Sequence, residues 1–521
     1  MSKEQIFPGI TKPFSLEGPT QDDIEMTRLL EETLRQYNMY EDQERTEQRK
    51  RVLDKLDRIT KKCVYTVSKR KGFSEMEARA AGGKIVTFGS YKLGAYASDA
   101  DIDTLCLFPR HVKRSDFFDM MLRMLKNVSD VSDITSIIDA YVPVIKFKYN
   151  DISIDLVCAR LNLPRIPDTI HLNDPHILTS LNEKCIRSIN GARVADDILA
   201  LVPNITTFRI TLRCIKLWAT RKAIYSNVLG FLGGVAWAIL VARICQLYPL
   251  ASASTVVCKF FQILIRWGWP SPVMLNHMED GPPLPLVKPW NPKLYTSDKT
   301  HRMPIITPSY PSMCATHNVT ASTQRIILGE FKMAAEIVEK IMAGAAPWSL
   351  LFQPHSFFQN YDHYLQIIVS SDSYDNQLKW AGLVEAKLRV LLMKLENVPS
   401  VALVHPFVDG FKKTYICHSR EDIYTAIHGR ELPERPVNAA HSRMIWTKTF
   451  YIGLFIRVNP DQPGTVDIAW PVEDFQRMLK AWPEYQASHM SIALESLRRY
   501  GKSFYFLFFF FLKKKKKRER C

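Results

Sequence analysis

Three aspartates constrain this chain more than any other feature of its 521 residues. Asp101-Ile102-Asp103 opens an apolar run, Ile102 to Phe108, that reads as a β-strand, and Asp155 interrupts a second, Ile152 to Ala159. Side chains alternate along a strand with a period of two, so Asp101 and Asp103 project from one face. Two carboxylates so placed repel, and a cation between them relieves the repulsion. Magnesium suits the position, because it takes hard oxygen ligands and is commonly held by one or two carboxylates plus substrate phosphates. Alone, a D-x-D pair on a strand is more often a solvated face or a calcium loop. Here Phe88-Gly89-Ser90 precedes it by ten residues. Glycine lets the backbone approach a phosphate, and a serine at the start of a helical turn, Tyr91 to Gly94, can donate a hydrogen bond to one. With Asp155 on a neighbouring strand, the set points to two-metal nucleotidyl transfer, with in-line displacement at phosphorus.

The surrounding pattern predicts an α/β segment with a mixed sheet. Lys84 to Phe88 is a short strand, and Val144 to Tyr149 forms a hairpin with Ile152 to Ala159 about Asn150-Asp151. Two helices precede it. One starts at Thr20-Gln-Asp-Asp23, with Ile24, Leu30 and Leu34 at helical spacing, and the other runs from about Glu44 past Ile59. From Asn173 to about Tyr248 the reading is almost wholly helical, and Gly234 to Leu247 is a buried helix approached by a loop. Pro270 to Pro311 is a Pro-rich ordered connector, followed by a helix over about Thr323 to Ala343. From about Phe352 to Tyr500 strands and helices alternate, as in a small α+β domain.

The formal charge of +16, from 69 Lys+Arg against 53 Asp+Glu, favours an anionic partner, nucleic acid or a membrane surface. Lys513 to Arg520 holds seven of those cations and one anion, so about +6 belongs to a tip and about +10 to the body. The tip resembles a nuclear localisation signal as much as a phosphate contact. The nine apolar residues before it, Phe504 to Leu512, and the run Val228 to Ala242 both fall short of the ~20 needed to cross a bilayer, so no membrane span is expected. The ten cysteines form no C-x-x-C pair and no signal peptide follows Met1, which predicts a reducing, intracellular compartment and chance sequons at Asn127, Asn204 and Asn318.

Phe88 to Leu105, FGSYKLGAYASDADIDTL, resembles the signature of the polymerase-beta-like nucleotidyltransferases, and specifically of the nuclear poly(A) polymerases. Thr11 to Ser15, Tyr141 to Lys146, Leu201 to Asn204, Ile215 to Ala219, Tyr225 to Val235 and Met303 to Pro308 look like further blocks of that family. The likeness is continuous from about Pro8 to Leu395 and weaker beyond.

The resemblance implies an α+β multidomain chain. N-terminal helices over 1–60 would pack on a mixed-sheet nucleotidyltransferase catalytic domain at 61–170 and a helical central domain at 171–351. An RRM-like RNA-binding domain would follow at 352–500, then an apolar and polybasic tail at 501–521. Asp101, Asp103 and Asp155 would be the catalytic ligands of Mg²⁺ or Mn²⁺, with ATP as substrate near Phe88, Gly89 and Ser90. Lys216 and Tyr225 would hold the triphosphate, and Asn227, Gly234 and Val235 would lie near adenine. The implied reaction is template-independent transfer of AMP from ATP to the 3′-hydroxyl of pre-mRNA, releasing pyrophosphate. A nuclear monomer would carry it out beside cleavage and polyadenylation factors.

Without the resemblance, Lys216, Tyr225-Ser-Asn227 and Gly233-Gly234 are ordinary solvated, turn or packing positions. Arg193, Arg209 and Arg213 could meet RNA phosphates, but arginines on helices rarely act so specifically, and the candidate site omits them. Ala97-Ser98-Asp99 departs from the family's usual hydroxyl followed by a basic residue, placing an extra negative charge near the triphosphate. Three other readings stay open: a terminal transferase with another nucleotide preference, a catalytically silent RNA-binding protein, and a peripheral membrane protein anchored by its tail.

Overall fold

A computed structural model describes residues 7–138, 142–285, 287–433, 442–457 and 467–499. Tyr141, the apolar and polybasic tail and Cys521 lie outside the described residues. The chain divides into two compact units. One comprises 1–218, 233–315 and 331–352; the other comprises 219–232, 316–330 and 353–521.

The first unit opens with α1 (Gln21–Gln36), which starts at a reciprocal cap between Thr20 and Asp23. Leu30 and Leu34 are buried, whereas Ile24 is exposed, so the inward face is narrower than the spacing suggests. The long helix α2 (Gln43–Arg70) follows, capped by Asp42. Five strands then build the mixed sheet: β1 (Lys84–Thr87), β2 (Ile102–Phe108), β3 (Val131–Ile137), β4 (Val144–Tyr149) and β5 (Ile152–Arg160), in the order β1-β2-β5-β4-β3. Only β2 and β5 run parallel; the other neighbours are antiparallel.

Both faces of this sheet are covered, and alternation along the strands explains how. Ile102, Cys106, Phe108, Ile154, Leu156 and Cys158 pack with Val52, Leu56 and Val64 of α2. Leu105, Leu107, Val157 and Ala159 point the other way, against Ile186, Ile189 and Ala192 of α4 (Glu183–Leu201). Burying a side chain of this kind contributes about 1.5–3 kcal/mol. Asp103 and Asp155 occupy the first places of that second row, where the apolar series gives way to acid.

Between β1 and β2 lies the short helix α3 (Gly89–Leu93), which packs against α4 and against α6 (Gly234–Leu247). Helix α5 (Ile205–Arg221) brings Trp218 into an aromatic cluster with Trp237 of α6, Phe261 of α7 (Ala253–Arg266) and Phe331. Residues 236–247 of α6 are all buried; the run is apolar except for Arg243 and Gln246, which hydrogen-bond to each other. Among the described residues no helix is long and apolar enough to cross a membrane. Seven of the nine described cysteines are buried and all nine are free thiols.

The second unit holds an antiparallel sheet of β6 (His363–Ser371), β7 (Val401–Pro406), β8 (Phe411–Cys417), β9 (Arg443–Ile456) and β10 (Met490–Arg498). Its main path runs β10-β6-β9-β7, with β8 added to β9. Helices α9 (Tyr374–Glu396) and α11 (Ala469–Lys480) lie between β6 and β7 and between β9 and β10; they follow α8 (Ala321–Met342) and flank α10 (Arg420–Ile427) in the chain. With β8 and α10 set aside as an insertion, β6-α9-β7-β9-α11-β10 is the β-α-β-β-α-β ferredoxin-like pattern that RRM domains use.

Candidate active site

The site begins with a register. Asp103 on β2 and Asp155 on β5 are direct partners across the one parallel pair of the sheet. Asp101 stands one residue before β2 begins. Carboxylate oxygens of all three lie within 4.8 Å of one another, and they are the one such group of potential metal ligands among the described residues. Thr104 Oγ1, on the buried side, donates to the Asp155 backbone oxygen at 3.1 Å and fixes the strands laterally.

Gly89 fits the turn before β2 for two reasons. Its φ of +62° favours glycine, and a Cβ there would overlap Asp103 Oδ2. The backbone N–H of Phe88 donates to the Asp103 carbonyl at 3.0 Å, so Gly89 and Ser90 are held beside the acid. The ring of Phe88 lies against α4, where a Cβ at Gly191 would be only 3.0 Å from it. Lys92 pairs with Asp196 of α4 at 2.7 Å. The connecting loop, with the exposed Asp99, is tethered as well. Arg49 Nη2 donates to the Ser98 carbonyl at 3.1 Å while its Nε pairs at 2.6 Å with Glu41, both side chains almost wholly buried.

The three acids repel. Burial first, then the charges of Asp101 and Asp155, push Asp103 up to about 7, and burial and Asp155 raise Asp101. Two lysines oppose this. Lys146, opposite Asp155 on β4, pairs with its Oδ2. Lys216 on α5 donates to the Ala95 carbonyl at 2.9 Å; burial lowers it to about 8, against the pull of Asp101 and Asp103. A cluster of hard oxygens whose ionised form is disfavoured by burial and by mutual repulsion is the donor set a divalent cation fits.

Phe88, Gly89, Ser90 and Lys216 thus gather about the carboxylates, and Gly234 and Val235 begin α6 next to α3. Tyr225 and Asn227 belong to the second unit, where Asn318 Nδ2 donates to both the backbone and side-chain oxygens of Asn227. The three arginines all serve the backbone: Arg193 donates to the Tyr310 carbonyl, Arg209 to that of Leu93 and Arg213 to that of Met39. Missing from the sequence reading were Lys146, Arg187, Ser188 and Gly191. The last three line, with Phe88, Val144 and Val157, a cavity of about 270 Å³ that reaches Asp103 and Asp155. Lys146 could have been found by its strand parity, since it stands opposite Asp155 in the hairpin. The α4 residues carry no motif of their own.

Three family models together match most of the chain: "Poly(A) polymerase nucleotidyltransferase domain" at residues 9–202, "Poly(A) polymerase central domain" at 207–354, and "Poly(A) polymerase predicted RNA binding domain" at 356–501. The chain belongs to the poly(A) polymerase family. It is 46% identical over 520 residues to poly(A) polymerase pla1 of Schizosaccharomyces pombe, covering 94% of this chain and 92% of the relative. Poly(A) polymerase PAPalpha of Candida albicans is 45% identical over 487 residues, covering 91% and 87%. The chain is therefore a poly(A) polymerase, an enzyme of template-independent adenylyl transfer, and the carboxylate cluster falls within the part that matches the family's nucleotidyltransferase domain.

Proposed function

We propose that Asp101, Asp103 and Asp155 hold the divalent cations of this polymerase and that adenylyl transfer from ATP to an RNA 3′-hydroxyl takes place beside them. The approach of three carboxylate oxygens to within 4.8 Å, in a setting that pushes Asp103 up to about 7, carries this reading. Magnesium or manganese bound there would neutralise the acids and polarise the hydroxyl and phosphate oxygens.

The chain's own residues supply position and charge. Gly89 brings its backbone close to where a phosphate would lie, and the Ser90 hydroxyl donates to it. Lys216, lowered to about 8 by burial, would be drawn back up by the negative charge of a bound triphosphate. The ring of Phe88 shields the acids on the side of α4, which lowers the local dielectric and strengthens each ionic contact. Tyr225 on the triphosphate, and Asn227, Gly234 and Val235 near adenine, are nucleotide contacts that rest on the family resemblance. Because no template is read, selection of adenine falls to such groups, and phosphate contacts leave the RNA sequence free.

Primer extension of oligo(A) with each of the four nucleotides tests the reading. ATP alone should support long products, and Asp103→Ala should abolish them while circular dichroism stays native. Equal use of UTP would favour a terminal transferase of another preference, and undiminished extension by Asp103→Ala would remove the metal assignment. The cell's pre-mRNA is the proposed substrate, with cleavage and polyadenylation factors as partners of a monomeric enzyme. We further propose that 513–520 directs the protein to the nucleus; deleting it should leave extension unchanged and move a fluorescent fusion to the cytoplasm.

A further inference from the structure

The two parallel strands that carry Asp103 and Asp155 have a second end. β2 stops at Phe108 and β5 at Arg160, which are themselves partners in register. At about 3.3 Å per residue, these ends stand roughly 17 Å from the aspartates. Open α/β sheets bind ligands in the crevice beyond the carboxyl ends of parallel strands. A cavity of about 270 Å³ lies there, with Lys113, Arg114, Arg160, Asn182, Cys158 and Cys185 in its wall.

The acid that Lys113 acts on is Asp116, which is already paired with Lys71. Among the described residues, Lys113, Arg114 and Arg160 form no salt bridge. The neighbouring acids are engaged elsewhere: Asp116 pairs with Lys71 at 3.0 Å and accepts from the Lys113 backbone N–H at 2.7 Å, and Glu183 pairs with Arg187. Among the described residues Arg114 Nη2 finds only the weak acceptor Cys185 Sγ, at 3.4 Å, and its buried Nη1 has no hydrogen-bond partner. The backbone N–H of Arg160 points at the same sulfur, also at 3.4 Å. A buried guanidinium N–H without an acceptor is costly, and such groups call for an explanation. An anion supplies one.

We infer that this cavity is a second anion site, which takes a small phosphate-bearing anion, orthophosphate or diphosphate, on Arg114, Arg160 and Lys113 without a divalent metal. The volume suits one or two phosphate groups and falls below the usual range for sites of larger ligands. Arginine's fixed fork matches the tetrahedral oxygens. Nothing in this depends on the nucleotidyl-transfer reading, since no residue is shared with the carboxylate cluster.

The test is calorimetric titration of the full-length protein in EDTA, with inorganic phosphate in one arm and pyrophosphate in the other. The expected result is one site of sub-millimolar affinity for at least one of them. Arg114→Met and the exposed Arg160→Gln should each weaken it roughly tenfold or more, and Asp103→Asn should leave it unchanged. Iodoacetamide labelling of Cys185, read by peptide mass spectrometry, should slow with the anion in the wild type and not in Arg160→Gln. Absence of binding in EDTA overturns the inference, as does unchanged affinity in Arg160→Gln or loss of binding in Asp103→Asn. Displacement of the anion by oligo(A) also overturns it, because the cavity would then be part of an RNA groove. If Arg114→Met does not fold, Arg160→Gln decides alone.

Discussion

Gly89 shows how closely the backbone and the acids are fitted. Its positive φ and the overlap that a Cβ would make with Asp103 Oδ2 are separate obstacles to any other residue. Gly89→Ala should therefore lower extension by about 10²-fold through displacement of one carboxylate, at about 1–2 kcal/mol of stability; single-turnover kinetics and urea titration check the two parts. Asp103 makes a pH prediction with a definite sign. Its folded value of about 7 stands above the ordinary 3.8, so its stabilising proton is fully present below about pH 4 and lost as pH rises through about 7. In EDTA the melting temperature should fall over that interval, Asp103→Asn should flatten the fall, and added Mn²⁺ should restore the wild type at pH 8. A pH-independent difference between the two proteins would refute it. At Lys216, replacement by Met should raise the KM for ATP about tenfold or more with a smaller change in kcat, the sign of a charge-assisted contact to the bound nucleotide.

Elements were legible to different degrees, for physical reasons. The acid-bearing strands could be read to within one residue, Ile102–Phe108 as it stands and Ile152–Ala159 one short of Arg160, because both are apolar and sharply bounded. Strand β3 could not: V-S-D-I-T-S-I is a largely exposed edge, kinked at Asp133 with φ +53°, and has no buried face to impose alternation. Strand β10 contains Ala493-Leu494-Glu495, a good helix sequence, yet all nine residues pair with β6. Sheet completion overrides propensity there. Buried side-chain partners were invisible too, even over the eight residues that separate Arg49 of α2 from Glu41 just before it. Both side chains are almost wholly buried, and Arg49 also ties the Ser98 loop between Gly89-Ser90 and Asp101. Arg49→Met leaves the buried Glu41 carboxyl without its cation and with only the Thr46 hydroxyl as donor, so stability should drop by about 3–5 kcal/mol, read as a lower urea midpoint at constant slope. A loss below 1 kcal/mol would mean the pair is hydrated in solution.

On the scale of the molecule, domain order along the chain and compact units in space do not coincide. The sheet of the second unit is built after residue 353, but 219–232 and 316–330 belong to the same unit. Thr320 Oγ1 and Ser322 N–H donate to Glu396 at 2.6 and 2.8 Å, the Ser322 hydroxyl accepts from the Val404 N–H at 3.0 Å, and Phe231 lies edge-on to His405. A chain ended at Phe352 strips those segments of their partners and should be recovered as aggregate; a soluble, cooperatively melting product in gel filtration and calorimetry would contradict this. The parallel pairing of Asp103 with Asp155 reaches across about 50 residues of chain, so the carboxylates meet only after a long loop closes. Such contacts are made late, behind local helices and hairpins. A metal ion that needs both acids then stabilises the native state but not the barrier on the way to it. In stopped-flow experiments it should slow unfolding and leave refolding untouched. For this polymerase an ion held by Asp103 and Asp155 would double as a latch, closing the sheet once it has formed and deciding how long it stays shut.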